Sequence, residues 1–151
     1  MEMRTSLRPT LAVFAIGAAL FLAAPAHAMQ LITKNEAALP ADTAAHRGIS
    51  RGPTIVVVSP SPGAGTIQSP IELKIKFESH GSATVDADSV LVTYVKAPGV
   101  DLTARIKPFI AASGIDVKGA EVPPGAHTVR VHVADSYGHE SSADFTFMVA
   151  Q

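Results

Sequence analysis

The chain has 151 residues, with 12 Lys and Arg against 13 Asp and Glu, a formal net charge of −1, no Cys and no Trp. The near balance of charge and the lack of a Lys/Arg run argue against a nucleic-acid or anionic-membrane surface. Without cysteine there are no disulfides, no thiolate metal sites and no lipid attachment at a cysteine, so a core of about 100 residues must hold the fold alone.

Arg4 and Arg8 precede an apolar run of 14 residues, Leu11–Ala24, which Pro25 breaks before the small-x-small sequence Ala26-His27-Ala28. This is the layout of a secretory signal peptide over residues 1–28; a membrane-spanning helix needs about 20 apolar residues. Cleavage is expected after Ala28, so that the mature chain begins at Met29 with no membrane insertion afterwards. A cysteine-free exported domain of this size fits the bacterial periplasm or the secreted fraction. Residues 29–52 are rich in Ala and broken by Pro40, Gly48 and Gly52. They read as a partly disordered leader or linker, with Leu31-Ile32 packing on the domain edge.

The domain is expected over 53–151. Thr54–Ser59 is a continuous β-branched strand. Pro60, Pro62, Gly63, Gly65 and Pro70 mark a loop that cannot join a central ladder. Ile71–Glu78 alternates, with Ile71, Leu73, Ile75 and Phe77 inward and Glu72, Lys74, Lys76 and Glu78 toward water. Ser79–Ser82 is a turn, Asp86–Ser89 a polar start signal, and Val90–Val95 the next strand, ended by Ala97-Pro98-Gly99. Residues 101–112 fit helix or strand: Thr103 is a candidate helix cap and Pro108 an interruption. Gly114–Val117 and Ala120–Val122 read as short edge pieces. The last thirty residues form a β-hairpin: Val129, Val131 and Val133 face one way and Thr128, Arg130 and His132 the other, and after a polar turn Phe145, Phe147 and Val149 share the inner face. About seven short strands separated by Gly, Pro and Asp turns predict an all-β, antiparallel, two-sheet sandwich.

The chain resembles bacterial immunoglobulin-like domains of the early-set type. The resemblance is carried by Ser59-Pro60, Gly63 and Pro70 before Ile71–Phe77, by Val85-Asp86 and Ser89-Val90, and by Pro124-Gly125, Val129–Val131, Asp135, Gly138 and Phe145–Val149. Within that layout it is similar to periplasmic copper-resistance proteins of the CopC type. His139, eight residues before Phe147, stands at the spacing of that family's Asp-x-His histidine, whereas Tyr137 occupies the family's aspartate position and Met29 the place of its N-terminal histidine. That likeness implies a copper site built on His139, with His80 and Asp135 as the partners the chain can offer; copper(II) favours several nitrogen donors and a carboxylate in a tetragonal array.

Five histidines follow the cleavage site: His46, His80, His127, His132 and His139. His132 is expected outward and His127 inward, so these two do not converge. Asp86, Asp88, Asp135 and Asp144 form a second cluster, in which Asp86-Ala87-Asp88 is similar to the short acidic motifs of calcium-binding cadherin-like sandwiches; calcium needs six to eight oxygens, usually between tandem domains, and turn formation is the ordinary use of such residues. No G-x-S-x-G elbow or cysteine nucleophile is present, so no enzyme is expected. With Tyr94 and Tyr137 the only tyrosines and no Trp, a polysaccharide-binding module is disfavoured. Tyr137, at the hairpin tip, is the exposed aromatic able to anchor a protein contact. The expectation is therefore an exported binding or accessory module for another periplasmic or envelope protein, with a diverged CopC-like copper carrier as the alternative.

Overall fold

The computed structural model describes residues 28–43 and 51–151. The expected signal peptide, apart from Ala28, and His46 lie outside the described residues. Six long strands carry the architecture: β2 (Thr54–Ser59), β4 (Ile71–Glu78), β5 (Val85–Tyr94), β8 (Gly114–Glu121), β9 (Gly125–Asp135) and β10 (Glu140–Val149). Four two-residue strands extend the edges: β1 (Met29–Gln30), β3 (Thr66–Ile67), β6 (Val100–Asp101) and β7 (Ile110–Ala111). One sheet runs β1-β8-β4-β2 with β7 also on β8; the other runs β3-β10-β9-β5-β6.

The two sheets bury one core between them, which includes Leu73, Ile75 and Phe77 of β4, Val117 of β8, Val92 and Tyr94 of β5, Val129, Val131 and Val133 of β9, and Phe147 of β10. The expected all-β sandwich is what forms, and strict alternation explains why. In β4 each apolar residue is buried and each charged neighbour more exposed, and β9 follows the same rule from His127 to Asp135. Among the described residues no helix is long and apolar enough to cross a membrane.

Several boundaries differ from expectation. Among the described residues the strand count is ten rather than about seven, and the sheets are mixed rather than purely antiparallel, since β1 runs parallel to β8 and β3 parallel to β10. The Pro/Gly loop before β4 thus contains β3, placed at an edge where proline neighbours are tolerated. Gly114–Val117 and Ala120–Val122 are not edge pieces: β8 is one internal strand, paired to β4 on one side and to β7 and β1 on the other. Gly119, at φ +74°, supports a bulge that inserts one residue between Val117 and Ala120 opposite β4. The strand expected from Val90 begins at Val85, because Asp86–Ser89 forms an insertion inside β5 rather than a turn before it.

Residues 101–112 contain a short helix, α2 (Thr103–Ile106), followed by a 3-10 turn at Lys107–Phe109. Thr103 does not cap it: its hydroxyl accepts from the Val92 backbone N–H instead, stitching the helix to β5. A domain boundary at Pro53 leaves out part of the fold. Leu31 and Ile32 are each only 1% exposed in the core. Helix α1 (Lys34–Ala37) follows with a Thr33/Glu36 capping box. Arg105 donates to the Leu31 carbonyl and, through both terminal nitrogens, to the Glu36 carboxylate. Lys96 donates to the carbonyls of Ala37 and Leu39. The Arg105 guanidinium holds the Glu36 carboxyl down at about 2.

Candidate functional site

The hairpin joining β9 to β10 builds an exposed feature held by a dense set of hydrogen bonds. Its ladder closes with Asp135 N–H donating to the His139 carbonyl and Gly138 N–H to the Asp135 carbonyl. Gly138 takes φ +77°, the left-handed conformation that such a tight return favours in glycine. Asp135 is the keystone. One carboxylate oxygen accepts from the backbone N–H groups of Tyr137 and His139 at 2.9 and 3.0 Å, and the other lies 3.2 Å from His139 Nδ1. Burial works against the charge on Asp135, but the His139 and Tyr137 N–H groups and the His139 ring outweigh it and hold the carboxyl below its ordinary value.

A carboxylate can only accept, so His139 carries its hydrogen on Nδ1. Nε2 has no partner among the described residues, on a side chain 56% exposed. Tyr137 is 63% exposed, yet its ring is not loose. The hydroxyl meets Ser82 Oγ at 3.0 Å across the mouth of the adjoining turn, and the ring stands edge-on to His139 at 6.3 Å. The two loops are sewn together by Ser136 N–H to the Thr84 carbonyl and Thr84 N–H to Ser136 Oγ. On the far side, Arg51 and Gly52 donate to the Glu140 carbonyl. A Cβ on Gly52 would overlap the His139 carbonyl, so only glycine permits this approach.

Of the candidates from the sequence, Asp135, Tyr137 and His139 are therefore brought together, and His80 is not part of their network. His80 bonds Thr54 Oγ1 at 2.9 Å instead. No group of three or more His, Cys, Asp or Glu side chains able to hold a metal ion occurs among the described residues. Asp86 accepts from Asp88 N–H within the β5 insertion, and Asp144 forms a two-pronged pair with Arg130 on the outer face, so these aspartates are spent on local structure. His132, outward as expected, lies beside Ser142.

The sequence reading missed the use made of His127. It is 1% exposed, with Nδ1 2.9 Å from the Tyr94 hydroxyl and Nε2 2.7 Å from the Pro123 carbonyl. The carbonyl can only accept, so Nε2 carries the hydrogen and Nδ1 accepts from Tyr94. Alternation signalled that His127 points inward, but its cross-strand partners required the register.

Comparison with protein-family models, with curated proteins and with solved structures finds no match to this chain.

Proposed function

We propose that the protein is an exported, non-catalytic, immunoglobulin-like module that binds another periplasmic or envelope protein through its hairpin end. The strand order supports the immunoglobulin resemblance: β2, β4 and β8 in one sheet oppose β10, β9, β5 and β6 in the other, as the A, B and E strands oppose G, F, C and C′ in that sandwich. The observation that carries the binding reading is Tyr137, which is 63% exposed while its backbone N–H and hydroxyl are both hydrogen-bonded. An aromatic held in place before contact loses little conformational freedom on binding, which is what makes such residues effective anchors. A photocrosslinking amino acid introduced at position 137 in cells should trap one discrete partner, whereas the same group at Lys74, on the opposite sheet, should trap none. Equal labelling at the two positions would remove the hairpin end from the account.

The copper alternative has one supporting observation, the Asp135–His139 pair, in which Nε2 has no partner among the described residues. An aspartate that orients an imidazole is the usual outer partner of a metal-bound histidine. Copper(II) asks for more donors than this pair offers.

A further inference from the structure

Among the described residues, the outer edge of β10 is occupied at both ends and has no backbone partner in the middle. At its start the Glu140 carbonyl accepts from Arg51 and Gly52, and at its end β3 pairs with Met148 and Val149, followed by Ala150 N–H to the Ile67 carbonyl. In a strand the N–H and C=O groups of alternate residues point to the same edge. Residues 140 and 150 both use this edge, so the backbone groups of Ser142, Asp144 and Thr146 face it too. Among the described residues none of these three has a backbone partner there, because the chain leaves this edge after Gly52 and β2 pairs with β4 in the opposite sheet.

Beside the Thr146 end lies a groove of about 360 Å³ whose walls include Pro60, Ile67, Thr146, Phe147 and Met148. No lining side chain is ionisable. Met148 is 44% exposed at its rim. Asp144 is already matched by Arg130 on the outer face.

We infer that this edge is a strand-addition site for an extended, uncharged segment of a partner protein. The segment continues the row that β3 begins, bonding the open N–H and C=O groups of Ser142, Asp144 and Thr146 and placing one aliphatic or aromatic side chain in the groove. Unpaired strand edges are templates for such pairing: the main chain supplies affinity and the adjoining pocket supplies selectivity. The occupied ends limit the occupant to about five residues at roughly 3.3 Å each. A groove without charge selects an uncharged anchor, since a buried unpaired charge is strongly unfavourable. This surface runs along β10 away from the hairpin tip, so it stands independently of Tyr137.

The test is selection of octapeptides from a random display library on the immobilised mature protein, followed by titration of the selected peptides into labelled protein by NMR. The expected peptides bind more tightly than about 100 μM, carry an apolar residue within an uncharged stretch, and protect the amides of Ser142, Asp144 and Thr146 from exchange. Asp144→Pro removes one outward-facing donor at an edge where proline is tolerated, and Met148→Lys places a charge at the rim. Each should weaken binding at least about tenfold, while Tyr137→Ala leaves it unchanged. If Asp144→Pro fails to fold, amide protection and Met148→Lys still decide the question. No peptide tighter than that limit, peptides that protect other amides, or equal affinity for Met148→Lys would overturn the proposal. So would protection of the same amides by a concentration-dependent dimer of the protein alone, which would assign the edge to a second copy.

Discussion

Lowering the pH should destabilise the fold through His127. The ring is enclosed between Tyr94 and Phe147, with centroids 5.7 and 5.5 Å away, and in the neutral form Nε2–H donates to the Pro123 carbonyl while Nδ1 accepts from Tyr94. Burial pushes its pKa below the usual 6.5, against the Pro123 carbonyl, which favours the charged ring, and with help from the nearby Lys96 ammonium. The unfolded chain therefore binds a proton at higher pH than the folded chain. The stability contributed by neutral His127 is full above about pH 6.5 and is lost as the pH falls from there toward the folded pKa, with a slope approaching about 1.4 kcal/mol per pH unit for one proton. His127→Leu should remove that part of the slope and, at pH 8, destabilise by about 1–3 kcal/mol for the buried Tyr94 hydroxyl it leaves unmatched, and by somewhat more for the partly buried Pro123 carbonyl. Adding Tyr94→Phe to it should recover part of the loss, because one stranded group is then removed. Urea unfolding followed by circular dichroism at pH 8, 7, 6 and 5 reads all three quantities. A wild-type pH dependence that His127→Leu leaves intact would refute the argument.

Phe147→Ala should cost about 3–5 kcal/mol as a buried aromatic, and Lys74→Ala, whose ammonium meets Asp116 at 3.5 Å on the exposed face, under about 1 kcal/mol; equal losses in chemical denaturation would mean the faces of β4 and β10 are misassigned. Ile32→Ala should cost about 2–5 kcal/mol, a loss no dispensable leader would show in the same assay. Because Glu36 is held at about 2 against an ordinary 4.5, the stability from its pair with Arg105 should be present above about pH 4.5 and fade as the pH falls toward 2; Glu36→Gln should flatten an acid-unfolding curve in that window, and an unchanged curve would discount the pair. Titration calorimetry should find copper(II) binding no tighter than micromolar (about −8 kcal/mol), and tight binding abolished by His139→Ala would favour the copper carrier.

Periodicity of two is a local signal, and where it governs, sequence and structure agree. Ile71–Glu78 and Thr128–Val133 show their inner and outer faces in the order of residues alone, and His127 was already placed inward. What could not be read depends on residues far apart in the chain. Leu31 and Ile32 look like part of an Ala-rich leader until Arg105 and Lys96, more than fifty residues later, are seen to fasten that segment down. Gly114–Val117 and Ala120–Val122 read as two pieces because nothing local distinguishes the bulge at Gly119 from a turn. Thr103 has the chemistry of a helix cap, and only the position of β5 shows that it serves Val92 instead. At the hairpin end, Asp135 and His139 were legible as a pair four residues apart. The departure of His80 to Thr54 was not, since it depends on how the neighbouring turn packs.

We propose that the ordered hairpin end presents Tyr137 to a protein partner. The most direct measurement is the affinity of the partner trapped at position 137 for three purified forms: wild type, Tyr137→Ala and Lys74→Ala. Loss of a central aromatic anchor should raise Kd at least about tenfold, or about 1.4 kcal/mol, with folding unchanged, while Lys74→Ala binds as the wild type does. An unchanged Kd for a correctly folded Tyr137→Ala protein would contradict the claim.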